Sequence, residues 1–210
     1  MIATILGAIL SYLIGAIPFG YLAGKTLKGI DIRDHGSGNI GATNVLRTLG
    51  TATGIIVLLL DAGKGVLSVL VLATLTGRVS ALDPYTLKAL CGAAAIAGHD
   101  WPVFLRFRGG KGVATGLGVF LSITPIYALA GLALFLLAVI MTRHVSVGSL
   151  VLAACFPIFM LIAGKPAWYS GLGFFWLASV LYLHRENILR LLRGTESRIG
   201  QKPQVSPEDK

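Results

Sequence analysis

Several apolar runs, among them residues 2–23, 53–76, 125–141 and 145–163, approach or exceed the roughly 20 residues a helix needs to cross the hydrocarbon core of a bilayer. Spans of that kind leave a chain of this size little room for anything but a membrane bundle. Charge agrees: charged residues are 13% of the 210, against about 25% in soluble domains. The first run lacks both the basic flank and the Ala-x-Ala site of a cleaved leader, so it is read as a retained first helix.

Three further apolar segments, 87–104, 113–122 and 168–183, raise the expected count to seven transmembrane helices in an all-α, polytopic fold. The block 112–141 is too long for one span, since at 1.5 Å per residue it would extend about 45 Å against a core of about 30 Å. Pro125 opens a helix readily but interrupts one from within, so the block is divided at 122–124.

The basic residues fix the sides, because Lys and Arg collect in cytoplasmic loops. With the N-terminus outside and the C-terminus cytoplasmic, fourteen of the 18 basic residues fall inside, and the outside loops keep only Arg78 and Lys165. A six-span arrangement would put the Arg143 loop and the tail on the wrong sides. The same topology accounts for the net charge of +9 without nucleic acid. It divides the chain into one transmembrane catalytic domain, 1–193, and a frayed polar tail, 194–210. No internal repeat of the transporter kind is evident. Cys91 and Cys155 read as small buried hydrophobes, and four scattered histidines make no zinc pattern.

Three glycine-bearing, basic segments, 31–47, 98–116 and 184–193, come to one membrane face in this arrangement. In the first, Gly36, Gly38 and Gly41 permit crowded or left-handed backbone, while Ser37, Asn39, Thr43 and Asn44 offer donors without bulk. Exposed amides in such a turn, followed by a helix start near Ala42, suit an oxyanion. Arg47, one turn on, would add a guanidinium fork. A helix-capping turn with an inside-positive arginine is the alternative. Asp31, Asp34 and His35 read as solvated or salt-bridged groups rather than as a metal site.

In the second segment Gly109, Gly110 and Gly112 bracket Lys111, a glycine density that topology alone does not require. Arg106 and Arg108 satisfy the inside-positive rule. His99 either bonds across helices or orients a phosphate-binding loop. In the third, His184 can serve as acid, base or donor, with Asn187 on its face, or both belong to an interfacial cap. Asp61 and Lys64, three residues apart inside a span, are expected to neutralise each other and tie helices around the site.

Taken in order, SGNIGATNVLR at 37–47, DAGKG at 61–65, GHDWPVFLRFRGGKGVATG at 98–116 and HRENILRL at 184–191 resemble the bacterial acyl-phosphate:glycerol-3-phosphate acyltransferase family over nearly the whole chain. The resemblance implies an integral enzyme of the bacterial inner membrane. Its reaction would move a fatty acyl group from acyl phosphate to the 1-hydroxyl of sn-glycerol 3-phosphate, giving lysophosphatidic acid and phosphate, the first step of phospholipid synthesis. It implies no cofactor, no metal and no direct use of acyl-CoA or acyl carrier protein. By similarity, Ser37, Arg47, Lys111, His184 and Asn187 form the catalytic pocket. The loops that contain Gly38, Asn39, Gly41, Thr43, Asn44, His99, Gly109, Gly110 and Gly112 enclose phosphate. Membrane lipid is the expected surrounding partner and a monomer the expected working form. A transporter of a phosphorylated solute is the competing class, and it predicts polar groups spread across the membrane rather than gathered at one face. A metal-dependent phosphatidyl transferase would need a multi-aspartate cluster that Asp31, Asp34 and Asp61 are not spaced to make.

Overall fold

The computed structural model describes residues 1–200, and among them every regular element is helical. That is how a lipid-embedded backbone satisfies its own polar groups. The last ten residues of the expected tail lie outside the described residues.

The first apolar run is two helices, not one: α1 (Ile2–Gly15) and α2 (Phe19–Lys28) meet at a short break where Pro18 caps α2. Proline lacks the N–H that would have continued the ladder. After the first polar loop comes the short amphipathic α3 (Ala42–Leu49). Then α4 (Thr51–Leu67) runs through a π turn at Ser68–Leu72 into α5 (Ala73–Gly77), forming one rod from Thr51 to Gly77. Next is α6 (Pro84–Asp100), started by Asp83, whose carboxylate accepts from the Tyr85 and Thr86 amides at 2.9 and 3.0 Å. It stops four residues short of the expected end, because Trp101 leaves the helical region and Pro102 follows.

The division of the 112–141 block is as expected, with α7 (Val113–Ile123) and α8 (Pro125–Thr142) joined at Thr124. They are followed by α9 (Val145–Ile162), α10 (Ala167–Leu183) and the short α11 (Arg185–Leu192). Among the described residues, four helical segments are long and apolar enough to cross a membrane: α1 and α2 taken together over Ile2–Lys28, the rod Thr51–Gly77, α8 and α9; α7 and α10 are apolar but shorter. Their outer faces expose large apolar side chains such as Leu59, Ile126, Ile140, Ile162 and Phe174, a surface suited to lipid rather than water.

Small residues let the helices approach. Gly15 lies against the Ala95 backbone and Gly98 against that of Tyr12, which closes α1 onto α6; Gly65 and Gly118 do the same for α4 and α7. The deepest packing is aromatic. Phe120 of α7, Phe156 of α9 and Trp176 of α10 are fully buried, with ring centroids 4.0 to 5.3 Å apart. The Trp176 indole N–H donates to the Gly112 carbonyl at 3.0 Å, so this core is tied directly to the glycine loop above it.

Candidate functional site

The first polar loop is shaped from within by Asn44. Its side-chain amide donates to the carbonyls of Ile32, His35 and Asn39 at 2.8 to 3.0 Å, while its oxygen accepts from the Ser37 amide at 2.8 Å. Asn44 is buried and its hydrogen-bonding capacity is used up in the loop, so its place is that of a loop organiser rather than a group free to meet a ligand. Ser37, which it braces, and the following Gly38 stay exposed, and Gly38 takes the left-handed conformation with φ of 68°. Asn39 links two segments: its oxygen accepts from Gly41 at 2.8 Å and its amide reaches the Gly109 carbonyl at 3.5 Å. Asp31 is paired with Arg33 at 2.7 Å, and that hydrogen-bonded guanidinium holds its carboxyl down at about 2.

The second loop leaves α6 through left-handed Arg106 and Phe107, with φ of 53° and 62°, a conformation that non-glycine residues adopt at a cost. Its return strand lies on the end of α6. The Gly110 amide donates to the His99 carbonyl at 3.0 Å. A side chain on Gly110 would run into the His99 imidazole, and one on Gly112, itself left-handed at φ of 63°, into the Asp100 carboxylate. The glycines are therefore required by close packing below the loop as well as by its turn.

Lys111 projects from this loop to the third segment, where its ammonium donates to the Asn187 side-chain oxygen. Burial lowers Lys111 to about 8; Glu196 opposes this, while the charges of Arg190 and Arg47 assist it. The three polar segments thus feel one another electrostatically. His184 donates from Nδ1 to the Val180 carbonyl at 2.9 Å, an arrangement that leaves Nε2 as an acceptor, and burial followed by the Lys111 charge holds it at about 4. Glu196, which sits in the stretch expected to be a frayed tail, accepts from Asn187 at 2.6 Å and from Arg190 at 2.7 Å. Burial works against its ionisation, but those hydrogen bonds prevail and keep it below the ordinary glutamate value. The segment after α11 accordingly folds back instead of fraying, and the Ile199 amide reaches the Arg143 carbonyl at 2.9 Å.

These groups surround a cleft of about 1090 Å³. Ser37, Asn39, Gly41, Thr43, Arg47, Lys111, His184 and Asn187 contribute polar lining, and Leu117, Leu132, Phe135 and Leu152 contribute apolar lining. A second, more polar cleft of about 750 Å³ adjoins it and shares Ser37, Asn39, Lys111 and Asn187, with Gly38, Gly109 and Gly110 on its wall. Gly112 is below the loop and lines neither cleft. His99 borders the larger cleft but is nearly enclosed, with Nδ1 turned to Lys64 at 3.0 Å. Asp61 and Lys64 pair at 2.8 Å, as expected from their spacing. The Asp100–Ser179 hydrogen bond and the Trp176 tether were not legible beforehand, since only the fold brings α10 beneath the loop. A serine or tryptophan in an apolar run carries no local mark of such a role.

Comparison with known proteins gives the chain's relatives. The family model described as glycerol-3-phosphate acyltransferase matches residues 5–194. The glycerol-3-phosphate acyltransferase of Clostridioides difficile (strain 630) is 47% identical over 195 residues, covering 93% of this chain and 95% of the relative. That of Synechococcus elongatus (strain ATCC 33912 / PCC 7942 / FACHB-805) is 48% identical over 198 residues, covering 93% and 94%. Two crystal structures of PlsY (YgiH), an integral membrane glycerol 3-phosphate acyltransferase, superpose well. The glycerol 3-phosphate form gives a TM-score of 0.86 at 40% identity, covering 94% of this chain and 96% of that one. The lysophosphatidic acid form gives 0.84 at 38% identity, covering 94% and 95%.

Proposed function

The chain belongs to the glycerol-3-phosphate acyltransferase family, an integral membrane family of acyltransferases in lipid biosynthesis, and from that premise we propose that its donor is acyl phosphate and its product lysophosphatidic acid. The observation that carries this reading is the mixed lining of the cleft: one volume is bordered by Arg47, Lys111, His184 and Asn187 and also by Leu117, Leu132, Phe135 and Leu152. Its chemistry matches a phosphate joined to a fatty chain. Related structures hold glycerol 3-phosphate in one form and lysophosphatidic acid in the other, one a reactant and one the product of this reaction.

In the proposed reaction, the 1-hydroxyl oxygen of glycerol 3-phosphate attacks the acyl carbonyl. A carbon–oxygen ester bond forms, the bond from that carbon to the phosphate oxygen breaks, and inorganic phosphate leaves. Acyl phosphate is already activated, so no covalent enzyme intermediate is needed; the protein holds two anions together and offsets their repulsion. Arg47 and Lys111 supply that positive charge, Ser37 and the loop amides bind phosphate oxygens, and Asn187 orients Lys111. The hydroxyl proton passes to a substrate phosphate. A phosphate monoester has a second pKa of about 6, which makes it the stronger base beside a His184 held at about 4. No step calls for a metal or cofactor.

The remaining parts of the proposal rest on the apolar runs and the charge pattern for the topology and on the family resemblance for the membrane. Seven helices cross the inner membrane of a bacterium, with the N-terminus outside and the three polar segments on the cytoplasmic side, where a water-soluble substrate is at hand. The test is to supply purified protein with synthetic acyl phosphate and glycerol 3-phosphate in the presence of EDTA. Lysophosphatidic acid and phosphate are expected in equal amounts. Product only with acyl-CoA, or none once metal is chelated, would overturn the assignment.

A further inference from the structure

Beneath the glycine loop lies a buried charged group for which the proposed reaction has no direct use. The Lys64 ammonium has three N–H donors and three acceptors in reach: the Asp61 carboxylate at 2.8 Å, the Ile17 carbonyl at 3.0 Å and His99 Nδ1 at 3.0 Å. Asp61, Lys64 and His99 are each less than 5% exposed, so the lysine is shut away from bulk water, and its ion pair with Asp61 and its two hydrogen bonds, to the Ile17 carbonyl and His99 Nδ1, are set by the helices around it. His99 Nδ1 is 3.6 Å from the Asp61 carboxylate, too far for a good hydrogen bond. The imidazole is therefore placed to receive a proton contact at Nδ1 and not to give one. A neutral ring that accepts at Nδ1 carries its own proton on Nε2.

The Nε2 edge faces the loop. It lies directly against Gly110, where any side chain would collide with it, and His99 lines the larger cleft. The helix end that carries the ring is itself held to the loop by the Gly110 amide bond to the His99 carbonyl, 3.0 Å long. From the other side, Thr115 at the start of α7 donates to the Asp61 carbonyl at 2.9 Å. Both ends of the Lys111 loop are thus pinned to this one group.

We propose that Asp61 and Lys64 are positioning residues: they lock His99 as a neutral imidazole protonated on Nε2 and so present a fixed N–H donor to the glycine loop and the phosphate it cradles. The need for a charged lock is physical. A free imidazole exchanges between tautomers, and in half of its forms it would turn a lone pair toward an anion. A lysine that can only donate removes that choice, and Asp61 balances the buried charge. The part concerning phosphate rests on the reading given under Proposed function; the tautomer itself does not.

The experiment uses the full chain, labelled with 15N-histidine, in lipid bilayers. His99 is identified by the signal missing from His99→Gln, and solid-state NMR reads which ring nitrogen is protonated. A protonated Nε2 beside an unprotonated Nδ1 is expected; a proton on Nδ1, or on both nitrogens at neutral pH, would overturn the lock whatever the protein's activity. Lys64→Met should release the ring into a tautomer mixture, and an unchanged His99 spectrum in a folded Lys64→Met would overturn it as well. Adding glycerol 3-phosphate to the wild-type protein should move Nε2 and leave Nδ1 in place. An unresponsive Nε2 in a preparation that turns over would sever the link to phosphate. Kinetics give an independent arm. Gln places an amide N–H near the position of Nε2, whereas Asn mimics only Nδ1. His99→Gln should keep KM for glycerol 3-phosphate within about threefold and His99→Asn should raise it about tenfold or more, the range of one lost charge-assisted hydrogen bond. Equal effects of the two would count against a donor role.

Discussion

At the scale of single residues, Lys111 and Arg47 answer to different physics. Lys111 is a point charge on a tightly packed loop, and its ammonium is engaged by Asn187. Lys111→Ala should leave the protein folded and lower kcat/KM by about a hundredfold or more, the scale seen when one charge-stabilising donor is removed; an acylation assay on a variant with wild-type thermal stability checks it. Arg47→Lys keeps the charge but loses the planar fork, so a severe loss is expected there too, and normal turnover would remove the fork from the account. The titration of Lys111 gives the sign of a pH effect. With its value held at about 8, it is positive at pH 7 and loses its proton as pH rises through 8. The kcat/KM for glycerol 3-phosphate, which reports the free enzyme, should therefore fall above pH 8, and Lys111→Arg should flatten that limb. These two residues were legible in the sequence because glycines and charge marked them. Glu196 was not, since a single acid in a polar tail looks solvated until α11 turns it back onto Asn187 and Arg190.

Elements show a sharper division between what the chain states and what packing adds. The break at 122–124 was readable from Pro125 and a length limit, and α7 and α8 meet there. The break at Ala16–Pro18 carried the same proline signal, but the run 2–23 fitted one span so well that length hid it. Apolar runs fix where helices are and say little about which faces touch, because a lipid-facing leucine and a buried one look alike in sequence. Glycine is the partial exception. Gly118 of α7 lies on the Ala62 carbonyl of α4, so the two helices cross with no room for a side chain. Gly118→Val should force them apart and destabilise the protein by about 1–3 kcal/mol, as overpacking commonly does. Thermal unfolding in detergent would register this, whereas Gly171, with open space beside it, should accept alanine with little loss.

For the whole molecule, the arrangement that matters is convergence. Loops far apart in the chain meet around one cleft, with the aromatic core of Phe120, Phe156 and Trp176 holding the glycine loop from below. The charge pattern along the sequence pointed to that meeting, but it could not give the apolar part of the cleft's lining, which α7, α8 and α9 contribute. In the proposed mechanism both phosphorylated reactants occupy this space at once and the acyl group passes directly between them. Initial rates of lysophosphatidic acid formation, measured while acyl phosphate and glycerol 3-phosphate are varied against each other, test that claim. Double-reciprocal lines that intersect are predicted, as a ternary complex requires; parallel lines, accompanied by an acyl group trapped on Ser37, would contradict it.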